Sequence, residues 1–284
     1  LNLKWKDGTT TDVNGNTSAS AAFDLGITLN DAVANFNTAG FTKSWDLNSY
    51  GNALNTFLNT PDLVLANAEM NVIAFDGTGT NPGDTRLLST TSGINATGTS
   101  LSLLSGAIPA NGKFNTIFGD ATVVNFLVAV NNSASHNSTA NGASNATAAS
   151  GNAWFDNGTG MDKFANLSSF DSTNKFDGSY AAGSGILSGQ AKALPFYMVV
   201  ASSTDPFAKA TMTPFGYDLD GDGVIEFDNN AADVGGSNEY GLWTLQGSTL
   251  TYSVAAVPEA ETYAMMLAGL GLVGFMVRRR RNAI

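Results

Sequence analysis

Short stretches of the chain alternate apolar and polar residues, which is the pattern of strands that bury one face. The clearest is residues 241–254, where two alternating segments flank Gly247-Ser248. A two-residue Gly-Ser connection is typical of a type II′ turn, so this segment predicts a β-hairpin. Weaker alternation predicts further strands at residues 1–5, as an edge strand, and at 23–29, 63–75, 194–201 and from 86 onward.

Two segments carry apolar residues at helical spacing. In the first, Asn48 is the expected N-cap, Pro61 ends the helix, and the apolar stripe consists of Tyr50, Leu54, Phe57 and Leu58. The second is residues 120–130, with Asp120 as its candidate cap; its many valines leave a strand as the alternative. Residues 131–151 are almost entirely Asn, Ser, Ala, Thr and Gly, which predicts a long polar surface loop or a segment that orders only against a partner.

The last 28 residues form three zones. Pro258 and Glu259 begin a short polar stretch, residues 263–277 are an uncharged apolar run that predicts a helix, and the final zone is Arg278, Arg279, Arg280 and Arg281. Guanidinium groups are held on the cytoplasmic side of a bilayer, because moving them through hydrocarbon is costly. The residues before the tail are therefore expected to lie outside the cytoplasm.

The order of these zones resembles the PEP-CTERM sorting signal of Gram-negative bacteria, over about a tenth of the chain. Ala260 departs from the pattern, since a second proline usually occupies that position. The resemblance implies export, at least transient membrane retention through the apolar helix, and processing at the Pro-Glu motif by an exosortase-type enzyme, often in bacteria that make exopolysaccharide. It implies where the protein goes and says little about what it does there.

The alternative for the same residues is an ordinary C-terminal anchor or a buried helix. At about 1.5 Å per residue, the 15 apolar residues would cover about 22 Å. That length is shorter than the roughly 30 Å hydrocarbon core of a bilayer. The segment is therefore marginal as a permanent anchor and suits a temporary one.

Together these elements predict a mainly β protein. Residues 1–256 would form an antiparallel β-sandwich-like ectodomain with two or three short helices, and residues 257–284 the sorting tail with its C-terminal apolar helix. No repeat of fixed period is visible, which argues against a solenoid or a propeller. The chain starts at Leu1 without a charged-then-apolar leader, so we expect that a signal peptide has been removed.

Composition narrows the choice of partners. The chain has no cysteine, so disulfides, thiolate metal sites and cysteine nucleophiles are excluded. The tail holds two acidic and four basic residues, which leaves 22 acidic and nine basic residues, a formal charge of −13, on the rest of the chain. Nucleic acid is excluded as a partner, because its binding requires clustered Lys and Arg, whereas cations are favoured.

The strongest candidate for chemistry is the acidic run at residues 217–229. Its oxygen ligands for a structural Ca²⁺ would be Asp218, Asp220, Asp222, the Val224 carbonyl, and Glu226 or Asp228. The segment resembles the calcium loops of EF-hand and dockerin-like proteins over about 11 residues, and Gly223 permits the sharp turn. Asn229 replaces the usual bidentate Glu, and Pro214 argues against an entering helix. The alternative is an Asp-Gly turn that keeps a strand end soluble.

One aromatic residue is a candidate for contact with a sugar ring. Trp154 follows the polar loop and stands beside Phe155 and Asp156. Core packing is the alternative for any aromatic residue of a β protein, and it is the expectation for Trp243 in the hairpin.

Catalytic groups are scarce in the sequence. His136 is the one histidine, and it lies in the Asn-Ser-Ala segment, where no neighbour is expected to orient it. No nucleophile elbow and no P-loop motif is present. We expect no enzyme, although paired carboxylates of the glycosidase kind, which are distant in the chain, stay open.

Two functions from different classes follow. The first is an exported structural protein of the cell surface or extracellular (biofilm) matrix, which self-assembles as a homo-oligomer or polymer into filaments or sheets. Its support is the tail, the low content of charged residues and the Gly- and Asn-rich β pattern. The alternative is a secreted polysaccharide-binding module that retains exopolysaccharide at the cell surface. It predicts saturable sugar binding that is lost on Trp154→Ala.

Overall fold

The computed structural model describes residues 1–6, 18–61, 63, 68–77, 85–90, 110–112, 121–133, 136, 141–153, 180–181, 193–218, 225, 239–256 and 268–273. Its strands, in chain order, are β1 (Asn2–Lys6), β2 (Ser18–Phe23), β3 (Thr42–Asp46), β4 (Ala68–Asn71), β5 (Ile73–Gly77), β6 (Thr85–Thr90), β7 (Ala143–Ala146), β8 (Tyr180–Ala181), β9 (Ala193–Val200), β10 (Thr211–Pro214), β11 (Leu242–Gln246) and β12 (Thr249–Ser253). The helices include α1 (Leu29–Asn35), α2 (Ala53–Leu58), α3 (Ala121–Asn131) and the 3₁₀ helices Leu47–Tyr50 and Ala148–Ala153.

The strands form two antiparallel sheets. The first has the strand order β7-β2-β1-β4-β8, and the second has the order β3-β12-β11-β9-β6-β5, with β10 also paired to β9. One hydrophobic cluster contains buried residues of both sheets, among them Leu3 and Phe23 of the first and Leu88 and Trp243 of the second. The prediction of a mainly β protein with antiparallel sheets and a few short helices is confirmed, and the sandwich-like arrangement stays a prediction.

β1 lies inside the first sheet, where it pairs with β2 on one side and with β4 on the other. The strand predicted at residues 1–5 is present, but its predicted place at the edge of a sheet was wrong. Leu1 and Leu3 are buried in the shared core. Alternation reports which face of a strand is buried and carries no information on how many strands lie beside it.

The segment 68–77 connects the two sheets, because β4 belongs to the first and β5 to the second. Val72 lies between them and is buried. Its amide donates to Thr90 Oγ1 (3.1 Å), and the Thr90 amide donates to the Val72 carbonyl (3.0 Å). The single strand predicted over residues 63–75 was therefore wrong. The alternation of apolar residues continues across Val72, although β4 and β5 on either side of it belong to different sheets. Residues 64–67 lie outside the described residues.

β2 ends at Phe23, and the next regular element is α1. The Gly26 amide donates to Asp24 Oδ1 (3.0 Å), and Gly26 adopts a φ of +62°, so the chain turns there. Thr28 caps α1: its Oγ1 accepts from the Asp31 amide (3.1 Å), and the Asp31 carboxylate accepts from the Thr28 hydroxyl (2.7 Å). The strand predicted across this segment was wrong, because the turn and the Thr-x-x-Asp capping box outweigh the alternation of apolar residues.

The helix predicted to begin at Asn48 is divided into two. Asp46 caps the first 3₁₀ helix through an Asn48 amide that donates to Asp46 Oδ1 (3.0 Å), so the cap is Asp46 and not Asn48. Gly51, at a φ of +75°, separates this turn from α2. Such a φ favours glycine and interrupts the helix. Leu54 and Phe57 are buried, as their shared stripe predicted.

Several predicted elements are confirmed with small shifts of their ends. α3 is the helix predicted at residues 120–130, with Phe126 and Val130 buried along it, and the strand alternative was wrong. β6 and β9 are the strands predicted from residue 86 and at residues 194–201. β11 and β12 form the predicted hairpin. Its Gly247 has a φ of +55° and Ser248 has no positive φ, as a type II′ turn requires.

The polar segment 131–151 is not one continuous loop, because it contains β7 and part of a 3₁₀ helix. β7 pairs with β2 at the end of the first sheet. The small side chains of Ala143 and Ser144 are buried there, and Asn145 Nδ2 donates to the Ala53 carbonyl (2.9 Å). The polar composition predicted a loop because composition carries no information on backbone pairing, and here the pairing with β2 orders the segment.

Aromatic rings fill the shared core. The ring of Phe36, at the end of α1, stacks on Tyr252 with centroids 4.2 Å apart and lies 5.8 Å from Trp243, 6.2 Å from Phe196 and 6.4 Å from Phe215. We call these five residues the aromatic cluster. The Tyr252 hydroxyl donates to the Phe36 carbonyl (2.8 Å). Burial raises the pKa of Tyr252, so the hydroxyl remains a donor at neutral pH.

Residues 268–273 are the part of the predicted apolar helix that the structure describes. They are helical, and all six are exposed, including Leu270, Leu272 and Val273. The helix predicted over residues 263–277 is not confirmed, because its other residues lie outside the described ones. Within the described residues, no helix combines the length and the apolar character needed to cross a membrane.

The hydrogen bond between Tyr252 and Phe36 generates a test of the core. Tyr252→Phe should lower the free energy of unfolding by about 1–3 kcal/mol, because the buried Phe36 carbonyl loses its donor. Urea denaturation of the purified chain measures the change. Tyr217→Phe, at an exposed tyrosine, is the matched control and should cost less than about 0.5 kcal/mol. Equal effects at the two positions would contradict the assignment.

Candidate functional site

The predicted calcium loop begins a few residues after β10. Asp218 is described and half-buried. The other proposed ligands lie outside the described residues: Asp220, Asp222, Val224, Glu226 and Asp228. Within the described ranges, no group of three or more His, Cys, Asp or Glu residues is placed to hold a metal ion. The calcium site therefore stays a prediction.

The two ends of this loop are fixed beside each other. Gly216 and Tyr240 form an antiparallel bridge, and the Tyr217 amide donates to the Glu239 carbonyl (2.8 Å). A Cβ at Gly216 would overlap that carbonyl, so the close approach of the two backbones requires glycine there. The Gly216 amide also donates to Asn37 Oδ1 (3.1 Å), just after α1. The backbone at residues 216–217 and 239–240 therefore holds the two ends of the loop together.

Glu239 is a carboxylate at the base of this loop that sequence reasoning missed. It is 4% exposed and lies next to Tyr240, which is also buried. Burying an ionised carboxylate is costly unless it is paired, hydrogen-bonded or bound to a cation. A twelve-residue calcium pattern that starts at Asp218 ends before residue 239, so spacing gave no signal for Glu239. The signal that the sequence offered was the place of Glu239 directly before Tyr240 and the predicted hairpin.

His136 is oriented by a neighbour, contrary to the expectation from its polar surroundings. Its Nε2 lies 3.4 Å from the Ala22 carbonyl of β2, and the side chain is half-buried. Burial lowers the pKa of His136, against smaller opposing effects of the Ala22 carbonyl and the nearby Asp24 carboxylate. The imidazole is therefore mainly neutral at pH 7. The contact crosses 114 residues of chain, which explains why local sequence did not predict it.

The remaining predicted site residues lie outside the described residues. They are the sugar-contact candidate Trp154 and the sorting-signal residues Pro258, Glu259, Arg278, Arg279, Arg280 and Arg281. The contact of Trp154 with a sugar ring therefore stays a prediction. Trp243, by contrast, is fully buried in the aromatic cluster, as expected.

Comparison with protein families matches one segment of the chain. Residues 256–281 match the PEP-CTERM protein-sorting motif, so the chain carries this motif at its C-terminal end and the predicted sorting tail is confirmed. No curated protein and no solved structure matches the chain. The motif implies an exported protein and processing by an exosortase-type enzyme. It covers only 26 residues and leaves the role of the preceding body open.

The buried position of His136 generates a prediction of pH dependence. Its pKa in the folded chain lies below the unfolded value of 6.5, so the unfolded chain binds the proton more readily. The free energy of unfolding should therefore fall as the pH decreases through 6.5. Urea denaturation at pH 7.5 and pH 5.5 measures the change.

His136→Gln is the control for this titration, since glutamine keeps a hydrogen-bonding side chain and has no proton to bind in this range. The free energy of unfolding of the variant should decrease less between pH 7.5 and pH 5.5 than that of the unchanged protein. The carboxylates contribute equally to both proteins, so the difference reports the contribution of His136. An identical decrease in the two proteins would rule out a contribution from His136.

Proposed function

We propose that this chain is an exported structural protein of the cell surface or extracellular matrix, delivered by its C-terminal sorting tail and without catalytic activity. The observation that carries the proposal is the position of the sorting motif, which begins at residue 256, immediately after the last described strand of the body. A sorting motif that follows the last described strand suits a protein whose delivery is separate from its fold.

The body needs nothing from the described part of the tail. Val254, just after β12, is buried, and its amide donates to the Phe41 carbonyl (2.9 Å). The Ala255 carbonyl accepts from the Gly40 amide (2.9 Å), and Ala256 is exposed. Among the described residues, the core contacts end at residue 255, directly before the motif, which supports a tail that can be recognised and removed without opening the core.

The tail offers apolar side chains that the body does not cover. Leu270, Leu272 and Val273 are 63%, 58% and 59% exposed on one short helical segment. An exposed apolar helix is driven to a membrane or to other protein surfaces. This exposure supports at least transient membrane retention in a Gram-negative cell envelope, with the arginines on the cytoplasmic side.

The body supplies the argument for self-assembly. Charged residues make up only 13% of the chain, and bound cations would screen the formal charge of −13 on the body, which otherwise opposes association of copies. β3 and β5 stand at the two ends of the second sheet in its described order. Edge strands carry backbone groups that can pair with another copy. We propose that copies associate through such edges into filaments or sheets.

A structural calcium ion completes the proposal. Extracellular domains without disulfides need another source of rigidity, and the chain has no cysteine. The backbone ladder at Gly216 and Tyr240 fixes the two ends of the acidic loop. Fixed ends lower the entropic cost of ordering a loop around an ion. The aspartates at 218, 220 and 222 would be its first ligands, with Glu226 or Asp228 completing the set.

The polysaccharide-binding function depends on Trp154, and no described residue favours it. One result would favour it over the structural function. The protein would bind exopolysaccharide saturably, would lose this binding on Trp154→Ala, and would not self-associate.

Removal of the arginine block tests the proposed delivery. Changing Arg278, Arg279, Arg280 and Arg281 to Ala should lower the surface fraction several-fold in a host with an exosortase, because the tail loses its cytoplasmic anchor. Cell fractionation with antibody detection measures the distribution. The paired change Lys43→Ala and Lys209→Ala, at two exposed lysines of the body, is the control and should leave the distribution unchanged.

Sedimentation of the surface fraction then tests the structural role. We expect species larger than a monomer in millimolar calcium. A wild-type distribution for the arginine variant, or monomers alone at high concentration with calcium present, would contradict the proposal.

Calcium binding is tested by thermal unfolding. Millimolar Ca²⁺ should raise the melting temperature by about 5 °C relative to EDTA, as expected for a ligand that binds only the folded chain. Asp220→Asn should remove most of this shift. Asp205→Asn is the control, because Asp205 is exposed, lies outside the loop and accepts from the Phe207 amide (2.9 Å), as asparagine also can. Equal shifts in both variants, or no heat on calorimetric titration, would contradict the site.

A further inference from the structure

A half-open cleft of about 410 Å³ lies between α1, α3 and the strands β1, β2 and β5. The described residues that line it include none from the acidic loop or the sorting tail. Its volume falls in the range of small-molecule sites, roughly 300–1,000 Å³. The cleft therefore has the size of a binding site for a small organic molecule.

Most of the residues that line the cleft are apolar, both deep in it and near its mouth. Phe36, Phe126 and Val130 line it as buried residues. Ile27 and Leu127 line it as half-buried residues nearer to solvent. Removing apolar ligand surface from water gains about 25 cal/mol per Å². An aromatic or aliphatic body is therefore the part of a ligand that these walls favour.

The rim of the cleft carries one formal negative charge. Asp24 lines the cleft and is exposed, and its Oδ1 accepts from the Gly26 amide (3.0 Å). Asp24 Oδ2 has no hydrogen-bond partner within the described part of the chain. Two other titratable groups belong to lining residues, and both are mainly neutral at pH 7: burial lowers the pKa of His136, and it lowers the pKa of the Leu1 α-amino group to about 5. None of the described lining residues is Lys or Arg.

A charge beside low-dielectric walls acts more strongly than the same charge in water. The Asp24 carboxylate therefore favours a cation, and it disfavours an anion of the same shape. The combination of apolar walls and a single acidic rim group selects a ligand with an apolar body and a positive end.

We propose that this cleft binds a small apolar molecule that carries a protonated amine, with the apolar body between α1 and α3 and the amine at the Asp24 carboxylate. The proposal does not rest on the structural role, because none of the described lining residues belongs to the sorting motif or to the acidic loop.

Three probes with the same ring and different end groups test the proposal. They are the cation of 1-naphthylmethylamine, the neutral 1-naphthylmethanol and the anion 1-naphthaleneacetate. Calorimetric titration of the full chain at pH 7 and low salt measures their affinities. The amine should bind at least tenfold more tightly than the alcohol, and the acetate should bind most weakly. Asp24→Asn should remove the preference for the amine and leave the affinity for the alcohol unchanged, because asparagine can still accept from the Gly26 amide.

Neighbouring residues on α3 supply the matched pair that locates the probe. Leu127 lines the cleft, whereas Val128 is 53% exposed and does not line it. Leu127→Arg should abolish binding of the amine, and Val128→Arg should preserve it. If Leu127→Arg lowers the melting temperature more than Val128→Arg does, Ala74→Leu replaces it, since Ala74 also lines the cleft and leucine fills it without a charge.

Three results would overturn the proposal. They are no binding of any probe up to millimolar concentration, an amine preference that survives Asp24→Asn, and equal effects of the changes at positions 127 and 128.

Discussion

The contact between Phe36 and Tyr252 joins parts of the chain that are 216 residues apart, and the described fold depends on it. The stacked rings bring the end of α1 against the last hairpin, and the Tyr252 hydroxyl satisfies the Phe36 carbonyl within the core. Trp243 packs against both rings from the neighbouring strand. A Cβ at Gly241 would overlap the Tyr252 hydroxyl, so the hairpin closes over this cluster only because residue 241 is glycine.

This closure also defines where the body ends. β12 pairs with β11 on one side and with β3 on the other, so both of its edges are satisfied within the body. The buried Val254 and the Ala255 carbonyl make the last core contacts among the described residues, and Ala255 lies three residues before Pro258. The described residues of the tail, 268–273, are exposed. The sorting motif and the described core residues therefore occupy separate parts of the chain, and a processing enzyme can act between them.

Sequence reasoning succeeded where one local signal decided the structure. The Gly247-Ser248 turn with its flanking alternation predicted the last hairpin, and the order of the tail zones predicted the sorting motif. It failed where distant partners decide: β1 lies inside its sheet because β4 covers its second edge, and Glu239 meets the acidic loop through a backbone ladder. The start of α1 is a different case, since the capping box from Thr28 to Asp31 was visible in the sequence and alternation was weighted above it.

The proposed function depends on export of the body and on its separation from the tail at the sorting motif. Intact mass spectrometry of the protein recovered from the surface of its bacterium tests this most directly. We expect the mass of a chain that includes the hairpin and ends near Pro258 and Glu259, without Arg278 to Arg281. A surface protein that keeps all four arginines would contradict it.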